Sequence, residues 1–353
     1  MEQTKRPGFA LIGYGGAGGW HIEKVRQLKE LIDVRGIYDI DPHKSAAAEK
    51  NGLTAYESLE QLLADPSVDF ITVAIPNDVH KPVCLRALQA GKHVICEKPV
   101  ALSSGELEEM IAAAEQNGVL FSVHHNRRWD EDYLAAKKLY EENTLGRVFN
   151  IESRVHGSRG IPGDWRNQKE KGGGMVLDWG VHLFDQLLML TGGLRVTSVF
   201  AKLYHVTNTE VDDGFKVFLE FENGLTAQAE VGTSNFISIP RWYMQGENGT
   251  AQIDWGVKGK IVMVSDWKNR DAVPVATAAG LTKTMAPRTA ETIQEFPLPA
   301  ICADVKDFYR NFVRAMAGQE QPIVTHSQIR RVMKLMEAVF RSGETGQAVR
   351  ESI

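Results

Sequence analysis

The sequence predicts an α/β protein in two parts: a doubly wound, mostly parallel sheet over residues 1–125, then an α/β unit over residues 126–353 built on an open, largely antiparallel sheet. Three observations predict it. Short apolar runs alternate with helix-period segments through the first 125 residues, the pattern of parallel strands joined by helical crossovers. Beyond that point the runs lengthen, alternate with period two and meet at Asn-Gly turns, the signature of antiparallel hairpins. The chain has 353 residues, 43% of them apolar. That is enough to fill a core in each of roughly two domains.

In the first part GFALIG reads as a strand, and Ile22, Val25, Leu28 and Ile32 recur at threes and fours to give a helix one buried face. DVRGIYD is the second strand. VDFITVAIP and KHVICEKP follow, separated by a helix in NDVHKPVCLRALQAG that stops at Gly91. A helix over 103–117, with Ser103 or Ser104 as N-cap, leads into the strand GVLFSVHH. In the second part, helices are expected near 132–143 and 177–191. FKVFLEFENGLTAQAEVGTS reads as a hairpin turning at Asn223-Gly224, RWYMQGENGTAQIDW as another turning at Asn248-Gly249, and KGKIVMVSDW as a further strand. Residues 267–300, rich in Ala, Thr and Pro, read as a long loop, and helices over 302–317 and 327–342 end the chain.

Composition excludes several function classes. Forty basic against forty-five acidic residues give a net charge of -5 with no basic stripe, so no nucleic-acid partner is expected. The run Phe9 to Ile12 is cut short by Gly13 and is no secretion signal, and FITVAI is far shorter than a membrane span. Cys84, Cys96 and Cys302 form no CxxC pair and no zinc spacing; they read as reduced, buried thiols, which places the protein in the cytoplasm.

GYGGAG fits G-x-G-x-x-G at Gly13, Gly15 and Gly18, between a strand and an amphipathic helix. Glycines there permit a tight turn and let the backbone from Gly13 through Tyr14, Gly15, Gly16 and Ala17 to Gly18 approach a pyrophosphate at the helix N-terminus. Asp39 ends the next strand, where an acid accepts hydrogen bonds from ribose hydroxyls and repels a 2′-phosphate, favouring NAD over NADP. Asp41, before Pro42, reads instead as the start of a turn or helix. Ile75, Pro76 and Asn77 end another strand at the same edge, with Asn77 also a candidate N-cap.

In ICEKPVALS, Lys98 ends a strand facing the nicotinamide end of such a cleft. Partial desolvation there moves an ammonium toward the range useful for proton transfer. Glu97 would position it and Pro99 stiffen the turn; an exposed charged turn is the structural alternative. Asp178 and His182 are four apart, so on a helix the carboxylate can orient the imidazole, an arrangement suited to alcohol oxidation. A helix-terminal acid beside a core histidine is the alternative, and no metal is expected, since no Cys cluster or H-E-x-x-H completes a zinc site.

Together LIGYGGAG, YDIDPHKS, VAIPNDVH, AGKHVICEKPVALS, GGGMVLDWGVHLFD and RSGETGQAV resemble the Gfo/Idh/MocA oxidoreductases over nearly the whole chain. The resemblance implies an N-terminal Rossmann domain and a C-terminal domain whose open sheet mediates homo-oligomers, dimers or tetramers. It carries catalytic roles to Lys98, Asp178 and His182, with Lys98, Glu97 and His80 also among the cofactor contacts. Trp165 and Arg166 in GDWRNQKEKGGG, and His125 and Asn126 in VHHNRRW, are candidate substrate contacts, joined by Arg159, Asp164 and Tyr243 as possible pocket residues; Arg127 and Arg128 read as interdomain ion-pair partners. The implied activity is NAD-dependent oxidation of a secondary hydroxyl of a sugar, glycoside or inositol. The alternatives are an NAD-dependent glycosidase working by transient oxidation and elimination, and a non-catalytic NAD-binding regulator.

Overall fold

The structure, a computed structural model, describes residues 6–268, 274–282, 285 and 287–353. Its first part runs β1 (Gly8–Ile12), α1 (Gly16–Arg26), β2 (Asp33–Tyr38), α2 (Pro42–Lys50), α3 (Leu59–Ala64), β3 (Phe70–Val73), α4 (His80–Gln89), β4 (His93–Cys96), α5 (Ser104–Gln116) and β5 (Phe121–Val123). The five strands pair in parallel in the order β2-β1-β3-β4-β5. Every residue of β1, β3 and β5 is buried, because helices cover both faces. The connection from β1 to β2 and that from β3 to β4 run in opposite directions across the sheet, so a crevice opens at the carboxyl ends of β1 and β3. Asp41 caps α2 by accepting from His43 N (2.9 Å), and Ser103 caps α5 by accepting from Glu106 N (3.2 Å).

The second part contains α6 (Glu131–Glu141), β6 (Val148–His156), α7 (Val181–Leu190), β7 (Val196–Tyr204), β8 (Gly214–Phe221), β9 (Thr226–Gly232), β10 (Trp242–Gly246), β11 (Gly249–Asp254), β12 (Lys258–Val264), β13 (Val275–Thr277), β14 (Gly280–Thr282), β15 (Ile293–Phe296), α8 (Lys306–Met316) and α9 (His326–Thr345). Eight strands form one sheet in the order β15-β12-β11-β10-β6-β9-β8-β7, antiparallel except for the β6–β9 pair. Phe215, Val217, Leu219 and Phe221 of β8 all turn to the buried face, as their alternation predicts.

The structure corrects the sequence reading in several places. The segment 267–300 is no single loop: β13 and β14 form a two-stranded hairpin and β15 pairs with β12, while 269–273, 283, 284 and 286 lie outside the described residues. The sequence reading assigns neither β6, where buried Ser153 interrupts the apolar alternation, nor β7, whose alternation is broken by a register shift between Val196 and Ser198. Helix α1 ends at Arg26, and Leu28 and Ile32 complete its apolar face from the turns beyond. Helix α8 begins at Lys306, and Cys302 ahead of it is exposed rather than buried, unlike Cys84 and Cys96.

Both C-terminal helices reach back to the first part of the chain, α8 to its sheet and α9 to β5 at its first residue and to α5. Phe312 meets Phe70 at 5.6 Å, Ser122 Oγ donates to Val324 O at 3.4 Å, and Arg330 pairs with Glu108 at 2.7 Å. Arg128 forks onto Asp185 of α7 with bonds of 2.8 and 2.6 Å and also donates to Gln328 Oε1 at 2.9 Å. Burial pushes the Asp185 carboxyl up, yet Arg128 and then His125 hold it below the usual carboxylate range. Arg128→Ala strands that buried charge, and a denaturant titration should show a loss of about 3–5 kcal/mol. Among the described residues no helix is long and apolar enough to cross a membrane.

Candidate active site

A cleft of about 690 Å³ lies at the carboxyl edge of the first sheet, with the glycine turn and Asp39 at one end and Glu97, Lys98 and Asp178 at the other. Two of the glycines are there for packing: Gly13 has φ +93°, with a Cβ position 2.3 Å from Ala74 O, and a Cβ on Gly18 would lie 1.9 Å from Gly13 O. Gly15 and Gly16 differ. A Cβ on either meets nothing within 4 Å, and no side chain caps the start of α1, so its first amide N–H groups face open space. Asp39 accepts from Tyr14 N at 2.6 Å and from Asp41 N at 2.8 Å, which ties the turn to the end of β2 and leaves lone pairs on the carboxylate for further donors. Open backbone donors beside an acid at the strand end fit a dinucleotide.

Ala17, Ile75, Pro76 and Asn77 also line the cleft. Asn77 is not the N-cap expected of it: its amide donates to Gly172 O at 2.9 Å, joining the turn after β3 to the loop before α7. His80 is fully buried and outside the cleft lining, with its ring nitrogens 2.9 Å from Pro99 O and Ile75 O, where it pins both turns from beneath. The Tyr14 hydroxyl turns aside to accept from Asn51 Nδ2 at 3.1 Å.

Lys98 Nζ donates to Asp178 Oδ1 and to Asp178 O, both at 3.0 Å, and Arg166 Nε lies 3.4 Å from Asp178 Oδ2. Burial pushes the Asp178 carboxyl up, but Lys98 and Arg166 hold it below its ordinary value. Asp178 sits in a π-helical turn, Val176–Gly180, leading into α7. No hydrogen bond or ion pair joins it to His182, which corrects the expected acid–imidazole pair. An ammonium and a guanidinium are stronger carboxylate partners than a neutral imidazole. His182 is only 4% exposed; burial, then Lys98 and Arg127, keep it well below the usual imidazole range, so it is neutral, with Nδ1 lacking a partner.

His125 is close enough to contribute to that depression. Burial lowers its own pKa to about 4; it lies 3.8 Å from Asp185, and neither ring nitrogen has a hydrogen-bond partner. Asn126 Oδ1 is likewise buried and unpaired. His125, Asn126 and His182 thus carry buried polar atoms without hydrogen-bond partners, and none of the three is among the residues that line the cleft. Asp164, Trp165 and Arg166 line the cleft; Asp164 accepts from Arg166 N (2.9 Å) and Nη1 (2.7 Å), and the guanidinium lies 4.5 Å over the Trp165 ring. Arg159 and Tyr243 do not join the site. Arg159 is exposed on the loop after β6, and Tyr243, flanked by inward-facing Trp242 and Met244, points to the open side of the sheet.

Sequence reasoning missed two groups. Trp179 packs edge-on to His182 (5.6 Å) and to the half-exposed Trp255 (6.4 Å), with Arg127 over its face (4.7 Å). Behind the cleft, His21 and His124 converge on Glu97, and no local spacing signals that meeting. Among the described residues, those three form the one set of metal-type ligand atoms, all within 4.8 Å of one another; Asp178 and His182 belong to none.

Comparison with known proteins identifies the family and the fold. The family described as "Oxidoreductase family, NAD-binding Rossmann fold" matches residues 8–125, and the "GFO/IDH/MocA C-terminal domain" matches 133–252. A crystal structure of an NAD-binding protein from Listeria innocua superposes with a TM-score of 0.94 at 46% identity, over 99% of this chain and 100% of that one. The scyllo-inositol 2-dehydrogenase (NADP⁺) of Bacillus subtilis is 26% identical over 353 residues, 96% of this chain and 94% of its own. The 1,5-anhydro-D-fructose reductase of Ensifer adhaerens is 29% identical over 314 residues, 86% of each.

Proposed function

The chain belongs to the GFO/IDH/MocA oxidoreductase family, and we propose that it uses NAD to oxidise a secondary hydroxyl of a sugar, glycoside or inositol. The observation that carries this reading is the Lys98–Asp178 pair at the end of the cleft opposite Asp39, with neutral His182 buried outside the cleft lining and near enough for the Lys98 ammonium to lower its pKa. Asp39 would hold the ribose of NAD and the glycine turn its pyrophosphate, with the nicotinamide toward the Glu97–Lys98 end of the cleft, where it would supply the hydride acceptor. His182 takes the hydroxyl proton as the carbinol carbon gives up hydride, leaving a carbonyl. Lys98 donates to the substrate oxygen and stabilises its developing negative charge. Asp178 orients Lys98 rather than the imidazole. Relatives named for an inositol and an anhydro sugar support the substrate class.

A screen for NADH formation across inositols, free sugars and glucosides tests this directly: NADH should appear mole for mole with a ketone. Aglycone release without net NADH would point to the glycosidase route instead. Asp39→Ala should weaken NAD binding about tenfold and narrow discrimination against NADP, read as two Kd values; unchanged affinities would remove Asp39 from the ribose site. We further propose that the open face of the second sheet carries self-association. Phe200 and Phe218 are cross-strand partners there, 45% and 42% exposed.

A further inference from the structure

We propose that Glu97 selects the oxidation state of the bound dinucleotide, its fixed carboxylate favouring the positively charged nicotinamide of NAD⁺ over the neutral ring of NADH. This rests on the placement of the nicotinamide at the Glu97–Lys98 end. Glu97 lines the cleft with its side chain 13% exposed. Its Oε1 lies 2.8 Å from His21 Nε2 and 2.8 Å from His124 Nδ1, and Oε2 accepts from Lys98 N at 3.1 Å. Among the described residues no lysine or arginine pairs with it. The adjacent Lys98 ammonium is committed to Asp178 at 3.0 Å.

The tautomers follow from donor counting. A carboxylate only accepts, so His21 directs Nε2–H at Glu97 and its Nδ1 accepts from the Tyr309 hydroxyl, which makes a close contact. Burial, then His124, depress the His21 pKa and keep that ring neutral, while burial pushes the Tyr309 phenol far up and keeps its proton in place. His124 donates through Nδ1, with Trp20 at 5.5 Å and Phe308 at 5.0 Å around its ring. Oε1 thus accepts N–H groups from α1 and from the chain after β5, and the His21 ring, being neutral, satisfies it without cancelling its charge. Although burial pushes Glu97 up, His124 and His21 hold it well below the carboxylate range.

Accepting hydride removes the positive charge from the nicotinamide ring, so attraction to a fixed anion at the cleft wall exists only in the oxidised form. At an effective dielectric of about 20 that attraction amounts to tenfold or more in affinity.

The test is the pair of dissociation constants for NAD⁺ and NADH, measured by fluorescence on the full-length protein. Glu97→Gln should weaken NAD⁺ about tenfold and leave NADH within about twofold, a shift of about 30 mV in the bound couple. Glu97→Asp should recover part of the ratio. Glu97→Ala serves if the glutamine amide, facing the Lys98 N–H donor, prevents folding. Equal weakening of both forms means a structural role and overturns the proposal, as does an unchanged ratio. If the wild type binds neither form, the cleft itself has been misread, a result distinct from a ratio that fails to move.

Discussion

Lys98→Ala is expected to lower kcat/KM about 10³-fold while leaving the Kd for NAD nearly unchanged. The amine is anchored by Asp178 at 3.0 Å and sits at the far end of the cleft from the glycine turn, so its loss removes contacts to the reacting oxygen and none to the adenosine half. Lys98→Arg should recover little, since a planar guanidinium cannot take the place of a compact ammonium held by both the carboxylate and the carbonyl of Asp178. Steady-state kinetics beside NAD titrations separate the two effects. A variant retaining full turnover would remove Lys98 from the mechanism. Because Lys98 is the second cause of the low His182 pKa, after burial, the same substitution should also raise that pKa, measurable by NMR.

His182→Ala should cost a further class of effect, about 10²–10⁴-fold in kcat, with NAD binding again retained. A general base works in its neutral form. The His182 pKa is depressed well below 6.5, so wild-type activity should hold across neutral pH and fall only as pH drops through that depressed value. In His182→Ala the residual activity should lose this acid limb. An acid limb that stays in place without the imidazole would assign the base elsewhere.

How much of this was legible depended on whether the signal was local. Gly13, Asp39 and Lys98 each end a strand or open a helix, so alternation alone put them on one edge of one sheet. The pairing of Lys98 with Asp178 spans 80 residues and is decided by competition: at that meeting point two cations claim the carboxylate and leave His182 without it. Tyr243 carried a pocket-like side chain, but strand parity turned it to the open face, and parity could not be read before the buried side of β10 was known. The His21–Glu97–His124 network draws on a helix, a strand end and the turn after β5, with Tyr309 arriving from α8. No period marks it. The edge strand β15 hid in a segment whose Ala, Thr and Pro content resembles a loop, since only its pairing with β12 defines it.

The destination of the hydride tests the proposed mechanism most directly. With a substrate carrying deuterium on the reacting carbinol carbon, each molecule of ketone formed should leave one deuterium on the nicotinamide, and kcat should show a primary isotope effect. Unlabelled NADH, or product formed with no reduced nicotinamide at all, would contradict it.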